Sequence, residues 1–412
     1  MFVDNIIAAA DEIAPERLLR IKNQCDPWVT GETIHKMHRR DFLLGKAKKE
    51  RSLDIKKKLF QEVRELRSQI RKDLYSKKKE FFEEQIKEAG SNPKSLWSVL
   101  KRACSRSKKQ HAVPTLKQDG VLVTEANIVA DVFNRYFTSV AKNIASKLKK
   151  PKGKWTHNLM TFYANVKRKS FSLKPLSKEW VMKQLKTLSV HKATGPDKIS
   201  AKFLKDGADM LALPMRHIIN LSIETSKVPT AIKLAKVVPI FKKGSRLEAG
   251  NYRPISLLPI LSKIIERAIS EQVVSYLESN KILMNRQHEF RRGFSTETAV
   301  ISLVDQIRNQ MGEKRHTAAI FIDLRKAFDT VDHSLLLEKL NVIGFTQQAE
   351  NWFRSYLENR NQYVELQGES SSKERVSCGV PQGSILGPTL FLIYINDIIA
   401  ALRKFINCFI CG

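Results

Sequence analysis

The chain has 412 residues, 42% of them hydrophobic, enough for two or three domains with a sizeable core. Lys and Arg total 72 against 42 acids, and the formal charge of +30 calls for a polyanionic partner, nucleic acid first and an anionic membrane surface second. The sequence argues against membrane insertion, secretion and a disulfide scaffold. It has no uninterrupted apolar run of about eighteen residues, its first twenty residues carry Asp4, Asp11, Glu12 and Glu16 where a signal peptide would be basic and then apolar, and its five cysteines fit a reducing compartment.

The first predicted element is a basic arm. From Arg39 to Lys79 there are sixteen Lys/Arg and six acids, while Leu59, Val63, Leu66, Ile70 and Leu74 recur at helical spacing. Such a stripe packs on a neighbour; the charged faces fit either a solvated helix or an arm along a phosphate backbone. Ser91-Asn92-Pro93 breaks the helix and a second one starts near Lys94, its apolar side carrying Leu96, Trp97, Val99 and Leu100. Asp119-Gly120, between Leu116 and Val121, is a hairpin turn. An amphipathic helix follows from Ala126 to Leu148, and Lys149 to Trp155 reads as a linker.

Ser177 is the expected cap of a helix through Trp180, Val181, Leu185 and Leu188. A Gly-Pro turn in KATGPDKIS leads into helices around Met215 to Thr225, and Leu234 to Phe241 is a strand. Ala318 to Ile322 is a short apolar run that fits a strand covered on both faces, with Asp323 at its exit. Asp329 and Asp332 precede a helix over Leu335 to Leu340, and capping or structural roles suit both. Gly379, Pro381, Gly383 and Gly387 form a loop that lets backbone approach a ligand; the buried helix after it carries Leu390, Phe391, Ile393 and Tyr394, with Pro388 in its first turn. Cys408 and Cys411 form a CxxC with no second pair to complete a zinc tetrahedron. Strands and helices alternate irregularly, an α+β pattern.

Two carboxylate-bearing blocks carry the chemistry. A strand-end aspartate is a hard oxygen ligand able to hold a divalent cation, and on position alone a helix cap or an ion-pair partner is its commoner role. FIDLRKAFDTVDH (Phe321 to His333) and GVPQGSILGPTLFLIYIND (Gly379 to Asp397) together resemble the palm of reverse transcriptases, most closely those of non-LTR (LINE-type, jockey/CR1-like) retrotransposons. KVVPIFKKG with NYRPISLL (Lys236 to Gly244, Asn251 to Leu258) is similar to the fingers segment of that family. QHEFRRGFSTETAV (Gln287 to Val300) resembles its Gln-x-Gly-Phe-Arg-x-Gly-x-Ser-Thr motif, with Glu289 standing where the family has glycine. PWVTGETI (Pro27 to Ile34) and NPKSLWSVLK (Asn92 to Lys101) look like the linker ahead of the polymerase.

The resemblance implies RNA-templated DNA synthesis from a DNA primer, using deoxynucleoside triphosphates and two Mg2+ ions, by a right-hand polymerase with fingers and a partial palm behind a basic helical region. It implies four segments: a basic arm over 1–110, a helical pre-fingers segment over 111–175, fingers over 176–300 and palm over 301–412. Asp323 and the Leu324 carbonyl would bind metal, and Phe328 would exclude a ribose 2′-hydroxyl. Gln382, Arg253, Lys242 and Lys243 would meet the nucleotide, and Arg291 and Arg292 the nucleic acid. The two lysines fit ordinary solvent-facing charge equally well. The sequence stops before the family's Tyr/Phe-x-Asp-Asp hairpin, so a fragment without turnover is expected, and a non-catalytic nucleic-acid-binding remnant or a pseudogene product is the alternative.

Overall fold

A computed structural model describes residues 2–13, 15, 26–104, 113–146, 155–164, 169–319 and 321–398. They fall into two compact units, one spanning 16–112 and the other 1–15 with 113–412. Most of the 149–155 linker and the CxxC at Cys408 and Cys411 lie outside the described residues.

Helix α1 (Phe2–Ile13) belongs to the larger unit. The smaller unit is an antiparallel pair, α2 (Gly31–Lys49) and α3 (Leu53–Ala89), followed by α4 (Pro93–Cys104). The predicted stripe is the seam: Val63, Leu66 and Ile70 are buried, with Leu59 and Leu74 half-buried beside them. Arg39 to Glu62 (3.1 Å) and Lys36 to Asp73 (2.8 Å) clip α2 to α3 across the pair. At the end of the hairpin away from the α2–α3 turn, Trp28 packs on Phe81 and Phe82, with ring centroids at 5.7 and 5.5 Å. Helix α3 ends at Gly90, whose φ of +51° suits a residue without Cβ.

The larger unit begins with the hairpin β1 (Leu116–Gln118) and β2 (Val121–Val123), turned by Asp119 and Gly120 at φ +50° and +89°. Two successive left-handed residues make the turn whose twist matches a two-stranded ribbon. Helix α5 (Ala126–Ala145) buries Val129, Ala130, Phe133 and Phe137. Then come α6 (Trp155–Tyr163), α7 (Lys178–Lys186), α8 (Ala201–Asp206) and α9 (Ala208–Thr225). Ser177 caps α7 as expected, accepting from the Trp180 amide at 3.2 Å.

The hairpin β3 (Leu234–Phe241) and β4 (Tyr252–Leu257) leads into α10 (Ile260–Ser279), α11 (Thr296–Gly312), α12 (His333–Val342) and α13 (Gln347–Leu357). The described chain closes with β5 (Arg360–Leu366), β6 (Glu369–Ser370), β7 (Glu374–Val376) and α14 (Leu386–Ile395). The five-stranded mixed sheet runs β4-β3-β5-β6 with β7 also on β5; β3 and β4 are antiparallel (Ile240 opposite Arg253) and β3 and β5 parallel (Val237 opposite Val364). Helix α5 packs against this sheet around Phe133, Val237, Tyr252 and Val364. The larger core is helical, with Leu185, Ile219, Ile269, Leu340, Trp352 and Leu390 buried among α7, α9, α10, α12, α13 and α14. Helix and sheet segregate as in α+β proteins.

One predicted element is absent. The run Thr317 to Asp323 is not a strand: apart from Ile320, which lies outside the described residues, it is irregular backbone in no sheet, with Phe321 86% and Ile322 63% exposed. A strand needs a neighbouring edge for its amides and cover for its faces. Among the described residues no strand pairs with it, so its composition alone does not make it one.

Candidate functional site

The loop between Asp323 and α12 is fixed by the loop that precedes α14. Gly379 N–H donates to the Val331 carbonyl at 2.8 Å and Val380 N–H to the Phe328 carbonyl at 2.9 Å, while the Gly379 carbonyl meets His333 Nε2 at 2.8 Å. Asp332 caps α12 by accepting from the Leu335 amide at 2.9 Å. Phe328 stacks on Phe391 of α14 (4.9 Å, 23°) and meets Phe290 edge-on at 5.8 Å.

Two glycines make the approach possible. A Cβ on Gly379, at φ +83°, would lie 2.7 Å from the Asp329 carbonyl oxygen; one on Gly383, at φ +127°, would lie 2.5 Å from that of Ser256. The Ser256 amide on β4 donates to the Gln382 carbonyl at 2.7 Å, so the PQG segment is tied to the sheet as well.

Gln382 Nε2 donates to Asp329 Oδ1 at 2.8 Å. Burial pushes the Asp329 carboxyl above the usual carboxylate range, opposed by the Gln382 hydrogen bond and by Lys326. Lys326, at φ +55°, donates to the Tyr252 carbonyl at 3.2 Å and lies over the Tyr136 ring at 5.6 Å. Burial holds Lys326 below the usual ammonium range, and the charges of Lys242, Arg325 and Arg253 act the same way against Asp329. Lys242 and Arg253, which leave the same end of the β3–β4 hairpin and are both exposed, are therefore electrostatic neighbours of the Lys326 loop. Such convergent cations suit phosphate oxygens, Arg by a planar fork and Lys as a point charge. A cavity of about 40 Å³ is lined by Asp329, Gln382, Ser256, Pro254 and Cys378 among others. Lys243 is exposed.

Beneath the PQG loop sits a carboxylate that the sequence did not advertise. Glu266 of α10 is 1% exposed; it accepts from the Ile385 amide at the start of α14 (2.6 Å) and from Ser262 Oγ (3.0 Å). Burial raises its pKa, opposed by the Ile385 amide and Arg360. It anchors the N-terminal end of α14 and with it the loop carrying Gln382.

Other predicted residues fall differently. Asp323 is exposed and Leu324 is 44% exposed. Asp329 is bonded to Gln382 and Asp332 caps α12, and among the described residues no group of three His, Cys, Asp or Glu is placed to hold a metal ion. The described residues therefore do not assemble a site for two divalent cations around Asp323, because hard cations of this kind need several converging oxygens. Arg291, expected on nucleic acid, is turned inward. Its guanidinium forks onto Glu278 (2.9 and 2.7 Å), donates to the Met284 carbonyl (2.8 Å) and covers the Phe294 ring, leaving the side chain 8% exposed. Arg292 is exposed. Glu289 does not occupy a strained position of its segment, since the left-handed residues are Phe290 at φ +54° and Gly293 at φ +83°, and no special backbone at 289 demands glycine.

Lys326, Tyr136, Ser256 and Glu266 contribute without having been expected from the sequence. Clues existed for Lys326, three residues ahead of Asp329 inside FIDLRKAFDTVDH, and for Ser256 inside NYRPISLL; Tyr136 and Glu266 carry no local signature.

Residues 240–412 match the family described as reverse transcriptase (RNA-dependent DNA polymerase). The chain is 34% identical over 236 residues to the "Probable RNA-directed DNA polymerase from transposon BS" of Drosophila melanogaster, covering 56% of this chain and 25% of that one. It is 31% identical over 229 residues to the "RNA-directed DNA polymerase from mobile element jockey" of the same species, covering 55% of this chain and 25% of that one. The matched region is thus about a quarter of the length of these curated relatives. The two motif blocks, the loops they build and these likenesses agree: residues 240–412 match a reverse transcriptase domain, and the chain is similar to the polymerases of non-LTR retrotransposons.

Proposed function

We propose that this chain is the template-and-nucleotide-binding part of an RNA-directed DNA polymerase, handling an RNA template, a DNA primer and deoxynucleoside triphosphates. The observation that carries the reading is the convergence of the Phe328–Asp329 loop, Gln382 and the Lys242/Arg253 end of β3–β4. Residues 176–300 take the part of fingers and those after 301 the part of palm, with 1–110 as the basic arm and 111–175 between them. Lys242, Lys243 and Arg253 meet the triphosphate, Gln382 lies against the base pair being formed, and Phe328, stacked on Phe391, blocks a ribose 2′-hydroxyl. Arg292 takes the nucleic-acid contact expected of the Arg291/Arg292 pair, with Arg291 shaping the segment.

A divalent cation belongs to this family's chemistry, and Mg2+ is the expected ion, with Asp323 and the Leu324 carbonyl as its ligands in this chain. One carboxylate does not fix two hard cations at reactive spacing. Because the described residues bring no three-ligand group together at Asp323, they are expected to bind template–primer and dNTP without extending the primer.

Primer extension and dNTP retention, measured together on an RNA template with magnesium, test this. Template-dependent dNTP retention, weakened about tenfold or more in Gln382→Ala and in Arg253→Ala, is the expected result; no retention at all would overturn the reading. Incorporation that disappears in Asp323→Ala would overturn the expectation of no turnover while leaving the polymerase reading intact.

A further inference from the structure

The six exposed cations around the turn between α2 and α3 are Lys46, Lys48, Lys49, Arg51, Lys57 and Lys58. None of them makes an ion pair among the described residues, whereas farther along the same hairpin Lys36, Arg39, Lys77 and Lys79 are each paired with an acid. Of the two acids in the stretch, Glu50 is turned onto the backbone, accepting from the Arg51 and Ser52 amides at 3.0 and 3.1 Å, which leaves Asp54. The cations at the tip of the hairpin are thus left bare, while four cations farther along it are paired.

From the tip the charge continues down α3. Lys57, Arg64 and Arg71 are exposed and recur every seven residues, so they share one solvent-facing line at intervals of about 10 Å, opposite the buried Val63, Leu66 and Ile70. Residues 46–58 include no aromatic side chain, and the nearest exposed ring, Phe42, stands alone about one turn back on α2. The Trp28, Phe81 and Phe82 rings pack on one another at the opposite end.

We propose that this tip and line bind the phosphate backbone of a nucleic-acid duplex. A single strand is recognised by stacking successive bases on several aromatic rings between cations, and this face offers a row of cations without a row of rings. Leu53 and Ile55, 74% and 50% exposed beside the tip, are with Phe42 its only exposed large apolar groups, too few to anchor it in a lipid surface. The site lies in the unit spanning 16–112, outside the family match over 240–412, and does not depend on the polymerase reading.

The test is fluorescence anisotropy of the full chain on an RNA duplex of about 20 base pairs, a DNA duplex of the same sequence, single strands and anionic vesicles, between about 50 and 200 mM salt. Each phosphate neutralised on B-form DNA contributes about 0.9 to the slope of log affinity against log salt, so six contacts contribute about 5. The variant K46Q/K48Q/K49Q/R51Q/K57Q/K58Q is expected to lose about that much slope, and about 1000-fold or more in duplex affinity at about 100 mM salt. A charge-matched control, K174Q/K202Q/K205Q/K227Q/K281Q/K373Q, removes six exposed lysines of the larger unit and is expected to change both by far less. Far-UV circular dichroism confirms that each variant keeps its helices. Equal losses in the two variants, no loss in either, a loss confined to single strands, or a loss confined to vesicles would each overturn the proposal. The two duplexes differ in groove geometry, and comparing them decides whether RNA or DNA is the natural ligand.

Discussion

Gln382 donates its side-chain amide to the half-buried carboxylate of Asp329, and this bond joins two loops 53 residues apart in sequence at the centre of the candidate site. Burial raises the Asp329 pKa above its unfolded value, so the folded state holds the extra proton. Its contribution to stability is then fully present below the unfolded carboxylate range and declines as pH rises through the raised value. Asp329→Asn keeps an acceptor for Gln382 and removes the half-buried charge. It should melt at or above the wild-type temperature at about pH 8 and lose that advantage toward about pH 4, whereas Asp329→Leu, which strands the Gln382 amide, should be less stable by about 1–3 kcal/mol. Thermal melts across that range check both.

Gly383 is expected to reject any side chain. Its φ is +127°, and an added Cβ would come within 2.5 Å of the Ser256 carbonyl oxygen, so backbone is the only thing that could move. Gly383→Ala should cost about 2 kcal/mol or more, and the damage should reach Gln382 because the Ser256 amide holds its carbonyl. A variant as stable as the wild type in urea titration would contradict the close approach.

Glu266 offers a cleaner separation of charge from hydrogen bonding. Glu266→Gln can still accept from the Ile385 amide and can donate to Ser262 Oγ, so it keeps both contacts without the buried charge. Because burial raises the Glu266 pKa, wild-type stability declines as pH rises through that value and the glutamine variant should pull ahead above it. Glu266→Ala, which leaves the start of α14 without an acceptor and opens a cavity, should cost about 2–4 kcal/mol at any pH. Calorimetry on the three proteins at about pH 5 and about pH 8 distinguishes these outcomes.

Arg291 and Arg292 are adjacent in sequence and opposite in expected behaviour. Arg291→Ala breaks a forked pair with Glu278 and a bond to the Met284 carbonyl, so it should lower the melting temperature by several degrees. Arg292→Ala should leave the melting temperature unchanged and weaken nucleic-acid binding uniformly across sequences. If Arg292→Ala destabilises the fold while Arg291→Ala does not, the assignment of roles is reversed.

Periodicity and turn chemistry made most elements legible. The Asp119-Gly120 turn and the Ser177 and Asp332 caps each depend on contacts within a few residues, while the α3 stripe and the strand over Leu234 to Phe241 form because α2 and the strands β4 and β5 supply their partners. The apolar run before Asp323 failed because a strand is a property of a pair of edges. Arg291 misled for a related reason: its charge is visible in sequence, but Glu278, thirteen residues earlier, becomes its partner only once α10 and the following loop have folded.

The sequence by itself determined the likeness to reverse transcriptases, through motifs whose spacing survives without any fold, and the strong positive charge that calls for a polyanion. Tertiary structure alone decided which charges are available: those at the α2–α3 tip stay bare, while Asp329, Glu266 and Arg291 are drawn inward to Gln382, Ile385 and Glu278. The reason is that ionisation and hydrogen bonding depend on distance and burial, and residues far apart in the chain acquire those only when the core brings them together.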